Sequence, residues 1–178
     1  MGDTVVTIIA IVLAAVLMFG FPLMTMADRT DDVSQLSVKA ETTKFVDDVK
    51  TTGKLTLDRY SKFVESIYST GNAYDVEMKI DVLDENPGKK TTQTQTNKIG
   101  ENVYYSMYTS QILDSISGEN GKNKTLALKE GDIFSVNVKN TNTTIAQQLK
   151  NFFYKVTGND TYSIAAEDSG MVTANGMK

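Results

Sequence analysis

Apolar and polar positions divide the chain into three regimes. Residues 4–27 carry no charge, and nearly every side chain in 5–24 is apolar. A helix rises about 1.5 Å per residue, so about 20 such residues cross a hydrocarbon core about 30 Å thick. The run therefore predicts a helix of membrane-spanning length. Over residues 31–49 the pattern becomes amphipathic. Val33, Leu36 and Ala40 form one short stripe, and Val38, Thr42, Phe45 and Val49 form an overlapping one. Spacings of three and four predict a helix. No Gly or Pro follows Pro22 until Gly53, so the two stretches predict one long rod, bent at Gly20–Pro22 and broken at Thr51-Thr52-Gly53-Lys54.

Beyond the rod the period changes twice. Thr56 is placed to cap a second helix, with Asp58 in its first turn. Leu57, Tyr60, Phe63, Val64 and Ile67 supply its apolar face, and Gly71-Asn72 ends it. Tyr74, Val76, Met78, Ile80 and Val82 then alternate with charged residues, which predicts a half-buried strand. Asn86-Pro87-Gly88 is a turn signal. The Thr-rich stretch 90–96 reads as an exposed edge strand or a loop, flanked by Lys89, Lys90 and Lys98 as a guard against edge pairing. Residues 103–116 mix a strand-like start with a helix-like end, and a polar loop follows. Glu130-Gly131-Asp132 turns into a strand bearing Phe134, Val136 and Val138. Ile145, Leu149, Phe152, Phe153 and Val156 mark an amphipathic helix. After the turn Gly158-Asn159-Asp160, Tyr162, Ile164 and Ala166 begin a last strand, resumed at 171–174. Strands segregated behind a helical rod predict an α+β fold with a small antiparallel sheet. The expected organisation is a hydrophobic transmembrane or filament-core helix over 1–27, an amphipathic helical extension over 28–52, and an exported α+β head over 53–178.

Composition narrows the chemistry. The chain has no Cys and no His, which removes thiolate nucleophiles, Ser-His-Asp triads and the commonest transition-metal ligands. No nucleophile–base pair or metal motif is visible, so no catalytic residue, metal site or cofactor is expected, and the chain reads as a non-enzyme. Eighteen basic against 22 acidic residues leave a net charge of −4. Without a basic cluster no nucleic-acid partner is expected, because such binding rests on phosphate neutralisation. All basic residues follow Ala27, and Asp28-Arg29-Thr30-Asp31-Asp32 is net acidic. That balance does not hold this side in the cytoplasm, so a single-pass protein with its head outside is expected. A cleaved signal peptide, cut at Thr25-Met26-Ala27, is the competing reading. The absence of Lys or Arg before the run, its length and Pro22 favour an uncleaved anchor.

A few residues stand out. Asp3 is the only charged side chain among the first 27 residues. It is either an ordinary interfacial residue or a partner for the N-terminal amine of a neighbouring subunit. Gly20 and Pro22 are either tolerated in the span or form a weak point where the rod bends on assembly. Asn123, Asn142 and Asn159 head glycosylation sequons. Asp81, Asp84 and Glu85 read as a solvated turn rather than a calcium loop. Tyr104, Tyr105 and Tyr108 read as packing residues rather than a carbohydrate platform.

The N-terminal third resembles a type IV pilin-like protein. The features are an apolar helix starting almost at Met1, Asp3 close to that start, Gly20 and Pro22 about twenty residues in, and the amphipathic extension over 31–49. The C-terminal region is similar to minor pilin-like proteins of the TadE type, in Ser135-Val-Asn-Val-Lys-Asn-Thr, the helix to Val156, Thr161-Tyr-Ser-Ile-Ala-Ala and Gly170-Met-Val. The chain departs from the family pattern of a basic leader ending in Gly with Glu at the fifth mature position. No basic residue precedes Gly2, and the fifth residue after a cut at Gly2 is Thr7. If such a cut occurs, Gly2 and Asp3 flank it. The resemblance implies a structural subunit held in membrane lipid before assembly. It would then pack its N-terminal helix against copies of itself in a surface filament, through assembly machinery that the sequence does not identify. The alternative is a monomeric membrane-anchored accessory protein of a secretion or conjugation machine.

Overall fold

A computed structural model describes residues 2–84, 103–117, 124–154 and 163–176. Its first element, α1 (Gly2–Thr52), is one unbroken helix of 51 residues that runs through Gly20 and Pro22, about 77 Å long. It ends at Gly53, whose φ of +63° favours glycine. A Cβ there would also lie 2.5 Å from the Ala174 carbonyl oxygen and 2.6 Å from the Gly176 nitrogen. The chain then forms β1 (Lys54–Thr56) and α2 (Leu57–Tyr68). Thr56 caps α2 as expected, its hydroxyl accepting from the Arg59 N–H at 3.3 Å. α2 returns along α1: Arg59 pairs with Asp48 at 3.2 Å, and Phe63 stacks on Phe45 with ring centroids 4.4 Å apart.

The remaining elements are β2 (Tyr74–Asp84), β3 (Val103–Tyr108), α3 (Thr109–Ser117), β4 (Thr125–Ala127), β5 (Ile133–Asn140), α4 (Ile145–Tyr154) and β6 (Ala165–Met171). The main sheet is antiparallel, in the order β3-β2-β5-β6, with Met78 opposite Val136 and Val138 opposite Ala166. β1 and β4 pair separately. The core lies between α1 and this sheet. Val38, Phe45, Val46 and Val49 meet Met78, Ile80, Phe134, Val136 and Val138 there. The fold is α+β, with the long apolar helix leading into a head of helices and a small antiparallel sheet.

Several local expectations change. Of the two stripes on the rod, only Val38, Thr42, Phe45 and Val49 are buried; Val33, Leu36 and Ala40 face outward. The stretch 103–116 resolves into a strand followed by a helix. β2 continues through Asp81 to Asp84, which pairs with Val103, so these two acids lie in a ladder and not in a turn, and Glu85 lies outside the described residues. β6 is continuous through Glu167-Asp168-Ser169-Gly170, where the pattern suggested an interruption. The reason lies above it: α1 covers β6, and a Cβ on Gly170 would sit 2.8 Å from Cδ of Lys50. A bulky apolar residue is excluded where the helix comes this close. β1 and β4, three residues each, were too short to show a period. The predicted turns at 86–88 and 158–160, the stretch 90–96 and the strand start at Tyr162 lie outside the described residues.

Candidate functional site

The first part of α1 stands clear of the head. Its apolar side chains point outward, with Ile11 64 % and Phe19 71 % exposed. Among the described residues, this helix is long and apolar enough to cross a membrane. Threonines sit within it because their hydroxyls bond back along the helix. Thr7 donates to the Asp3 carbonyl at 2.7 Å, and Thr25 to the Phe21 carbonyl at 3.0 Å. Gly2 and Asp3 form the first turn, where a carboxylate complements the positive helix end. Gly20 and Pro22 lie in the last third of the uncharged run, and Pro22 offers no N–H to the Met18 carbonyl.

The stem is fastened where it enters the head. Asp31 is buried, and one of its carboxylate oxygens accepts from the Thr144 hydroxyl at 2.6 Å. Thr144 is also the cap of α4. Its hydroxyl accepts from the Gln147 N–H, and the Gln147 side-chain oxygen accepts from the Thr144 N–H, both at 3.2 Å. This is a reciprocal capping box, with the Asp31 carboxylate at the positive end of α4. Four positions further along α1, the Gln35 amide accepts from the Ala165 N–H at 2.9 Å and donates to the Ala165 carbonyl. Gln35 thereby occupies part of the otherwise open edge of β6, where unpaired backbone groups would invite another strand. A groove of about 370 Å³ runs beneath this junction, between Leu23, Met26 and Ala27 of the stem and Asn72, Asn142 and Ile145 of the head.

No protein-family model, curated protein or solved structure matches the chain.

Other residues singled out in the sequence are dispersed. Asn142 belongs to the junction. Its side-chain oxygen accepts from the Ala73 N–H at 2.8 Å, its side-chain nitrogen donates to Asn72 at 3.1 Å, and its carbonyl accepts from Asn140 at 2.9 Å. Asn123 and Asn159 lie outside the described residues. Tyr104 and Tyr108 share the outer sheet face with Lys79 and Asp81, while Tyr105, opposite Val82, is on the other. The three tyrosines therefore make no single platform, and Tyr105 and Tyr108, 49 % and 59 % exposed, are not the core packing residues expected of them. Asp81 accepts from Lys79 at 2.9 Å and from the Ser106 hydroxyl. Burial pushes its carboxyl upward, but the Ser106 hydroxyl and the Lys79 ammonium outweigh that and hold it below the ordinary aspartate value. Among the described residues no three acidic side chains converge on a metal-sized site.

Two junction signals were legible in principle. Asp31 precedes Val38 by seven residues, which puts a carboxylate on the packing face of the rod. Thr144-Ile145-Ala146-Gln147 has the spacing of a capping box before an apolar helix. Their meeting was not legible, because 113 positions separate Asp31 from Thr144.

Proposed function

We propose that this chain is a pilin-like structural subunit that inserts in a membrane through its stem and assembles through the same helix into a surface filament, with the head outside. The observation that carries the reading is the stem, a row of exposed apolar side chains standing free of an otherwise well-packed head. Each fully buried Val, Leu or Ile contributes roughly 1.5–3 kcal/mol, so such a surface demands cover. Lipid supplies it before assembly, and stems of other copies supply it afterwards. Val33 and Leu36, 66 % and 68 % exposed, extend this apolar surface past Asp28 and Arg29, beyond the uncharged run. A monomeric anchor would leave them in water. A neighbouring rod in a filament would cover them.

In this reading Asp3 pairs with a neighbour's N-terminal amine, and Gly20 with Pro22 is where the rod adjusts as stems pack. The head supplies the outer surface, with no catalytic residue, cofactor or nucleic acid involved. The test is electron microscopy of native protein taken from membranes and from sheared surface material. Filaments with bundled stems along the axis are expected. Intact protein that is soluble and monomeric in plain buffer would remove the anchor. Detergent-extracted monomers with no filament in either fraction would select the accessory protein of a secretion or conjugation machine.

A further inference from the structure

The underside of the head, where the stem leaves it, has a chemistry of its own. Ile145 opens α4 and is 69 % exposed, although the residues on either side, Thr144 and Ala146, are buried. It lines the same groove as Leu23, Met26 and Ala27, the last apolar turn of the stem. The other wall carries Thr70, Asn72, Asn142 and Thr143, uncharged donors and acceptors. Among the described residues that line the groove none is Lys or Arg, and the one charged side chain, Asp31, is buried against Thr144. Along α1 the lining passes from apolar Leu23, Met26 and Ala27 to Thr30 and Asp31, level with the amides and hydroxyls of the head, the order met on passing from acyl chains to headgroups.

The height of this surface follows from α1. The uncharged run stops at Ala27, and Asp28 is the first charge after it. The Asp31–Thr144 hydrogen bond holds the start of α4 three residues beyond Asp28, about 4.5 Å along the axis. Each interfacial layer of a bilayer is roughly 5–8 Å deep, the difference between a core of about 30 Å and a whole of about 40–45 Å shared between two leaflets. A stem that spans the core therefore brings Ile145 into the interfacial layer.

Resting on the anchored reading above, we propose that the head docks on the outer surface of the bilayer, with Ile145 inserted at the acyl–glycerol boundary and the amide and hydroxyl wall facing phospholipid headgroups. Such docking limits how far the head can swing about the stem and sets its orientation before assembly. With no basic residue among the groove's described residues, the apolar insertion of Ile145 calls for no anionic lipid and is insensitive to salt.

The chain lacks cysteine, so single labels are clean. The full chain carrying Ile145→Cys is labelled with a polarity-sensitive fluorophore and reconstituted in phosphatidylcholine vesicles. Ile9→Cys in the stem and Glu130→Cys at the far turn serve as references. The expected result is blue-shifted emission at 145 with at least two-fold quenching by lipids bearing a shallow nitroxide, unchanged in 0.5 M salt (on the order of a 4 Å Debye length), while position 130 reports water. Water at 145 with lipid at 9 overturns the docking and leaves the anchor standing. Water at both positions overturns the anchor as well. Blue-shifted emission at 145 that nitroxide lipid does not quench assigns the surface to another protein copy and also overturns the docking.

Discussion

Asp31 links the stem to the head through one buried hydrogen bond, and its loss should be felt. Asp31→Ala leaves the Thr144 hydroxyl without its acceptor and removes the carboxylate from the start of α4. A loss of about 2 kcal/mol in head stability is expected, read by denaturant unfolding of the detergent-solubilised protein. Gly53→Ala should cost roughly 2–4 kcal/mol, because φ is positive and the added Cβ meets the backbone of Ala174 and Gly176. The same unfolding curve checks it, and an unchanged midpoint would contradict the close approach. Asp81 gives a pH dependence. Its folded carboxyl titrates below the ordinary value, so its contribution is present above the unfolded value and is lost as pH falls through the folded one. Asp81→Asn should therefore flatten the acid limb of a stability–pH profile and leave the shape near neutral pH unchanged.

At the level of elements, α1 has two faces with different fates. One carries Asp31, Val38, Thr42, Phe45 and Val49 into the head, and the other carries Val33, Leu36 and Ala40 outward. Both stripes were legible as helical periodicity, but the choice between them was not. An apolar triplet marks a surface to be covered without naming the cover, and the winning stripe is the one that continues to the end of the rod. Leu36→Asp separates the roles. Head stability should change by less than about 0.5 kcal/mol, because the side chain is exposed. If the chain assembles as proposed, filament yield should fall, because a charge would enter the stem–stem contact. Normal filaments from this variant would place the outer stripe outside the assembly interface. β6 shows the opposite relation between pattern and structure: its polar middle hid a strand that α1 covers, with Gly170 under Lys50.

For the molecule as a whole, the buried residues begin at Asp31, so the core of the head lies beyond the uncharged run. A fragment of residues 28–178 should be soluble, monomeric and folded, with an unfolding midpoint within a few degrees of the intact chain in detergent. The intact chain should partition with membranes. A fragment that aggregates or melts far lower would mean that the stem contributes to the head's stability.

The sequence alone determined the elements whose signals are local. The uncharged run predicts its own helix because its length and polarity are properties of consecutive residues. The alternation in 74–82 predicts a strand because one side of a pleat is buried. Thr56 predicts a helix start because its hydroxyl meets an N–H three residues on. Tertiary structure decided what depends on residues far apart in the chain: which stripe of α1 is buried, where β6 runs, the pairing of β1 with β4, and the seating of Asp31 on Thr144. Each of these is a contact between surfaces, and no single segment carries the signature of its partner.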